Sequence, residues 1–305
     1  MGHGLTSSTQ RYYPFIDGLR ALAVLAVLIY HLHGPWLPGG FVGVDVFFVI
    51  SGFVVSASIA GFKGRGLWQF LSYFYARRIR RIFPALIVCL LLTSLACALF
   101  VPSIWLSEVN QRTGLFAFFG LSNFVLAQTG RDYFSPTTEF NPYTHTWSLA
   151  VEEQFYLVFP FLFLAWMSGP RGRKLSFFLF AAAALASMAL AGWQSQASPT
   201  QAYFLTPARF WELAAGVLLY QVLSQLPPHT AVRHRGLFAM AAGLSLVLVL
   251  LAFIVSTPQR FPMPGALLAV VGTLGVLGLL YCLADLPVLH SLLGSRPLVA
   301  IGKIS

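Results

Sequence analysis

The feature that most restricts this chain is a succession of apolar runs, each close to the length of a membrane span, separated by short polar segments. A helix needs about 20 apolar residues to cross the hydrocarbon core of a bilayer. In that medium every backbone N–H and C=O must be satisfied within the protein, so such runs fold as helices. Candidate spans lie at about 14–34, 40–60, 82–101, 111–128, 147–167, 175–192, 209–226, 237–256 and 264–283. The expected fold is all-α, a polytopic integral membrane bundle of about 8–10 transmembrane helices with one re-entrant segment.

Composition agrees with this. The chain is 57% hydrophobic and 9% charged, whereas a soluble domain carries about 25% charged residues. Its formal net charge of +10 is concentrated in short basic blocks between apolar runs. That is the pattern of cytoplasmic membrane loops and argues against a nucleic-acid partner. Cys89, Cys97 and Cys282 lie in apolar stretches without CxxC or Cys/His spacing, so neither a disulfide framework nor a metal is expected. The first apolar run lacks a signal-peptide pattern and is expected to stay as a permanent span.

The basic blocks set the expected orientation. Lys63, Arg65, Arg77, Arg78, Arg80 and Arg81 make 61–81 cytoplasmic; Arg171, Arg173 and Lys174 form a second block; His229, Arg233, His234 and Arg235 form a third. Segments 129–146, 193–206 and 257–264 carry fewer positive charges and are expected to face outward. All three blocks reach one side only if a run between 82 and 167 fails to cross. The run 111–128, with Asn110, Gln111, Arg112, Asn123 and Gln128 at or near its ends, is the weakest and is expected to be re-entrant or to lie against the bundle. The N-terminus is then cytoplasmic. Residues 67–81 read as an amphipathic helix on the inner surface, or, more readily on sequence physics alone, as a basic anchor attracted to anionic lipid.

Ionisable residues inside spans are costly and usually face the bundle interior. Here they are Asp17, Arg20, His31, Asp45, Glu152, Glu153, Arg209 and Glu212. Arg20 and His31 are separated by about 16 Å of helix and share nearly one face. Asp17 stands one turn before Arg20 and can pair with it. In HTWSLAVEEQFYLVFP, His145 precedes a helix entering from outside, which places Glu152 at a depth similar to His31. A carboxylate bonded to one imidazole nitrogen fixes the tautomer and makes the other nitrogen a base. Glu152 or Glu153 pairing with an arginine to hold the fold is an equal alternative, and an interfacial His31 is another. Asp45 needs a partner, with Arg20 or the 77–81 block as candidates. Arg209 and Glu212, three apart, are expected to form a structural pair.

Together FIDGLRALAVLAVLIYH, GGFVGVDVFFVISGF, FYARRIRRIFPAL, EFNPYTHTWSLAVEEQFY and TPARFWELAAG resemble the membrane acyltransferase-3 family, bacterial O-acyltransferases of surface polysaccharides. They come in the family's order and cover essentially the whole chain, so residues 1–305 resemble one acyltransferase-3 transmembrane domain, cut before its last spans. The resemblance implies a catalytic pair, His31 and Glu152 rather than Glu153. It implies Arg20, Arg77, Arg78, Arg80 and Arg81 as donor-binding residues, and Asp45, Trp147, Ser148, Arg209 and Glu212 as substrate-binding or supporting ones. It also implies acetyl-CoA or another acyl-CoA as donor, no metal, and a carbohydrate or lipid-linked glycan acceptor outside a bacterial inner membrane. Related proteins of this appearance often continue into a C-terminal SGNH hydrolase-like domain.

The function expected is transfer of an acyl group, acetyl first, from cytoplasmic acyl-CoA to an extracytoplasmic carbohydrate hydroxyl, with His31 as general base oriented by Glu152. The alternatives are a transporter or acyl-group conduit using a His/Glu proton relay, and a partner-binding scaffold. A scaffold needs neither the His–Glu set nor the arginines, and a relay needs no site for CoA phosphates.

Overall fold

The computed structural model describes residues 12–62, 64, 66–102, 107–128, 141–226, 235–283 and 286–305. Lys63, Arg65, His229, Arg233, His234, the Arg235 side chain and most of segment 129–146 lie outside the described residues.

The described elements are helical. α1 runs Pro14–Leu32, α2 Gly43–Ile59, α3 Leu67–Phe100, α4 Glu108–Ala117, α5 Ser122–Gln128, α6 Thr146–Met167 and α7 Pro170–Ala197. They are followed by α8 Pro199–Phe204, α9 Thr206–Leu223, α10 Arg235–Val255, α11 Leu267–Cys282, α12 Pro287–Leu293 and α13 Arg296–Ile304. Proline sits in the opening turn of α1, α7, α8, α9, α12 and α13. There its missing N–H is no loss and its fixed φ suits a helix start.

Among the described residues, six helices are long and apolar enough to cross a membrane: α1, α2, α3, α6, α7 and α10. α9, with Arg209 and Glu212 in its first half, and the 16-residue α11 complete the bundle. α9 packs along α2 and α7, and α11 along α10 and α2. Glycines permit the closest crossing. A Cβ at Gly52 of α2 would collide with the Leu213 carbonyl of α9, and one at Gly216 of α9 with the Val49 carbonyl.

Successive spans alternate in direction, so the bundle has two chemically different ends. One gathers the start of α1, the end of α2 and the basic start of α3, joined by Arg78 donating to Ser58. Tyr13 and Phe53 both pack on Tyr281 at this end. The other end gathers the end of α1 and the starts of α2, α6, α9 and α11, where Phe41, Phe261, Tyr203 and Trp147 form a chain of ring contacts.

The run 111–128 does not form a span. α4 and α5 have 10 and 7 residues, and even α4 reaches only about 15 Å. Gly120, at φ +66°, sits in a Schellman-type stop in which Leu121 N–H donates to the Phe116 carbonyl at 3.0 Å. α3 therefore ends, and α6 begins, at the same end of the bundle. The expected surface helix 67–81 differs from its description in sequence terms: it is continuous with the span, one helix of 34 residues containing Pro84. Phe70, Phe74 and Arg78, four apart, bury one stripe of its basic half against the bundle.

Candidate functional site

At the α1-start end, a cavity of about 730 Å³ is lined by Asp17, Arg20, Arg77, Arg78, Arg80, Arg81 and Lys303, with Tyr12, Phe53, Val54, Ala57 and Ser58 among its other walls. Three helices contribute its cations, α1, α3 and α13. Arg20 lies near Asp17, N to O 3.9 Å, and over the Phe47 ring, and it also donates to the Ser305 carbonyl. Asp17 additionally accepts from Tyr12 Oη at 2.6 Å. Of the four arginines on α3, Arg78 alone is buried. Its guanidinium lies 5.3 Å from the Tyr156 ring centre and donates to Ser58 Oγ at 3.1 Å. The result is a recess with many forked N–H donors and one carboxylate, suited to polyanionic phosphate groups.

Glu152 stands beyond this recess, towards the opposite end of the bundle. Ser51 Oγ donates to its Oε1 and Tyr156 Oη to its Oε2 at 3.3 Å. The cations whose charge reaches it are Arg20, Arg81 and Arg78. Its neighbour Glu153 points elsewhere, towards Gly120 in the α4–α5 turn.

His31 occupies the last turn of α1 at the opposite end. Its Nδ1 is 2.8 Å from the Val27 carbonyl. A carbonyl only accepts, so Nδ1 carries a proton, which in the neutral ring leaves the lone pair on Nε2. Its ring packs edge-to-face on His145, with centroids 4.5 Å apart. This corrects the sequence-based placement of Glu152 at the level of His31. His145 is level with His31, and Glu152, seven residues further along, lies about 10 Å deeper along the axis. The cause is that α1 stops one residue after His31, which puts the imidazole at the mouth of the bundle. His145 is crowded on the His31 side, although part of the residue is exposed. That crowding, and secondarily the His31 charge, lowers its pKa to about 4.

A third cluster is fully enclosed. Arg209 Nη2 donates to Asp45 Oδ1 at 2.9 Å and lies 3.2 Å from Glu212 Oε2, all three side chains being 0% exposed. The rings of Phe48, Trp147, Tyr203 and Phe261 surround the guanidinium, the nearest centre at 4.9 Å. Asp45 therefore pairs with Arg209, not with Arg20 or the α3 arginines. It belongs to the first turn of α2, at the end of the bundle away from those cations. The Arg209–Glu212 pair expected from sequence exists but is shared with Asp45. Ser148 Oγ donates to the His145 carbonyl at 3.3 Å, fixing the turn that carries that imidazole.

The residues expected from sequence thus fall into three groups: Arg20 with Arg77, Arg78, Arg80 and Arg81; His31, near Ser148; and Asp45, Arg209, Glu212 and Trp147. Glu152 stands between the first and second. Sequence reasoning did not single out Ser51, Tyr156 or Lys303, and noted His145 only as a helix entry. Tyr156 was within reach of it, being four residues after Glu152 on one helix face.

The family described as Acyltransferase domain matches residues 13–305. Among curated proteins, the chain is 31% identical over 309 residues to the peptidoglycan O-acetyltransferase OatA of Listeria monocytogenes, covering 98% of this chain and 49% of that protein. It is 36% identical over 213 residues to the O-acetyltransferase OatA of Staphylococcus aureus, covering 68% of this chain and 34% of that protein. The chain thus spans half or less of the length of these relatives. No solved structure matches it.

Proposed function

From the premise that the chain belongs to this acyltransferase family, we propose that it is the membrane part of an O-acetyltransferase that takes acetyl from cytoplasmic acetyl-CoA and delivers it to a glycan hydroxyl outside. The observation that carries this reading is the division of labour between the two ends: a cationic recess at one and an imidazole with a defined lone pair at the other.

The arginine-bearing end faces the cytoplasm under the positive-inside rule, with the N-terminus on that side. Arg20, Arg78 and their neighbours hold the CoA phosphates, and the pantetheine arm extends outward past Glu152. At the far end His31 Nε2 takes the proton of the acceptor hydroxyl as its oxygen attacks the thioester carbonyl. The C–S bond breaks and CoA leaves as the thiolate. Glu152, inside a bundle of low dielectric, stabilises the imidazolium that this step creates. The Asp45–Arg209–Glu212 cluster holds α2 and α9 in register beside the outer end. The name of the Listeria relative points to peptidoglycan among surface glycans as the acceptor class, and the bacterial cytoplasmic membrane is the setting this reading requires.

The test uses the full-length protein in proteoliposomes, with labelled acetyl-CoA on the arginine side and a muropeptide acceptor on the other. His31→Ala is expected to lower transfer by about 10²–10⁴-fold while acetyl-CoA binding is retained. Arg78→Ala is expected to weaken binding. Unchanged transfer by His31→Ala removes the proposed base, and unchanged binding by Arg78→Ala removes the donor site.

A further inference from the structure

We infer that Ser51 and Tyr156 are positioning residues for Glu152, holding its carboxylate at the neck between the cationic recess and the outer histidines. The inference rests on the role given to Glu152 above.

Three observations support it. Ser51 comes from α2 and Tyr156 from α6, and their hydroxyls donate to different oxygens of one carboxylate. With both oxygens engaged, the carboxylate plane is fixed as well as its place, which a single bond leaves undefined. Next, the position is the roof of the recess: Ser51 is one helical turn outward of Val54, which lines the cavity. Finally, Tyr156 is fully engaged on both sides. Its hydroxyl serves Glu152, and its ring lies under the Arg78 guanidinium that lines the recess. A phosphate drawing on Arg78 is thus two contacts away from the carboxylate. A serine placed only to pack α2 against α6 would instead bond its own helix, as Ser56 does to the Gly52 carbonyl at 2.8 Å.

The experiment is a set of double-mutant cycles on the full-length protein in proteoliposomes, reading kcat, KM for acetyl-CoA and acetyl-CoA binding. Ser51→Ala and Tyr156→Phe are each expected to lower kcat roughly tenfold with KM nearly unchanged, and Ser51→Thr to restore most of the loss. On a Glu152→Gln background, or Glu152→Asp where Gln leaves no measurable rate, the same changes are expected to add little, because the carboxylate they hold is already gone or withdrawn. Fully additive losses, or Ser51→Ala and Tyr156→Phe proteins with wild-type kcat beside an impaired Glu152→Gln protein, overturn the inference and leave the role of Glu152 standing. A Glu152→Gln protein with wild-type kcat overturns that role instead. If Ser51→Ala fails to fold, Tyr156→Phe and Ser51→Thr carry the cycle.

Discussion

His145 shows how much one side chain's surroundings matter. Its pKa is lowered from 6.5 to about 4, so the folded chain favours the neutral ring while the unfolded chain takes up a proton below about pH 6.5. The contribution is complete above that pH and is lost as pH falls towards 4, because the unfolded state there binds more protons. The unfolding midpoint in detergent should therefore fall between pH 6.5 and 4, and fall less in His145→Gln; parallel curves for the two proteins would contradict this. The arginines of α3 separate on the same scale. Arg78 is buried against Tyr156 and Ser58 while Arg77, Arg80 and Arg81 remain exposed. Arg78→Lys loses the planar stack and the fork, so it should weaken acetyl-CoA binding more than Arg80→Lys, measured by equilibrium dialysis.

Between helices, the α2–α9 crossing combines two kinds of specification. Gly52 and Gly216 let the backbones touch, and Asp45 and Glu212 meet Arg209 only when that approach is reached. Arg209→Leu leaves two enclosed carboxylates facing each other and should cost about 3–5 kcal/mol of stability, read as a lowered Tm in detergent. Gly52→Ala should also lower Tm, because the Leu213 carbonyl occupies the space. Gly61→Ala, with nothing within 4 Å, should not. Equal shifts for the two glycine variants would remove the close crossing as a determinant.

For the molecule as a whole, the two ends should lie on opposite sides of a membrane. With the native cysteines replaced, a cysteine at Trp36, exposed beyond α1, should react with an impermeant thiol reagent on intact cells. A cysteine at Trp68, exposed at the basic start of α3, should react only after permeabilisation. The reverse pattern would invert the orientation. Much of this scale was legible in the chain itself. Apolar length determines which segments cross, because unsatisfied backbone cannot remain in lipid. The basic blocks predict which way they face, and the weak run 111–128 announced itself by the polar residues at or near its ends. Rare charges within the spans marked the residues worth finding, since each must repay desolvation with a partner. Which partner each one found was decided by tertiary structure alone. Helical periodicity specifies the face a residue shares within one helix. It carries no information about where that helix begins relative to another. Asp45 thus met Arg209 from 164 residues away, Ser51 met Glu152 from 101 away, and His31 met His145 because helix ends, and not the spacing along any one helix, set relative depth in the bundle.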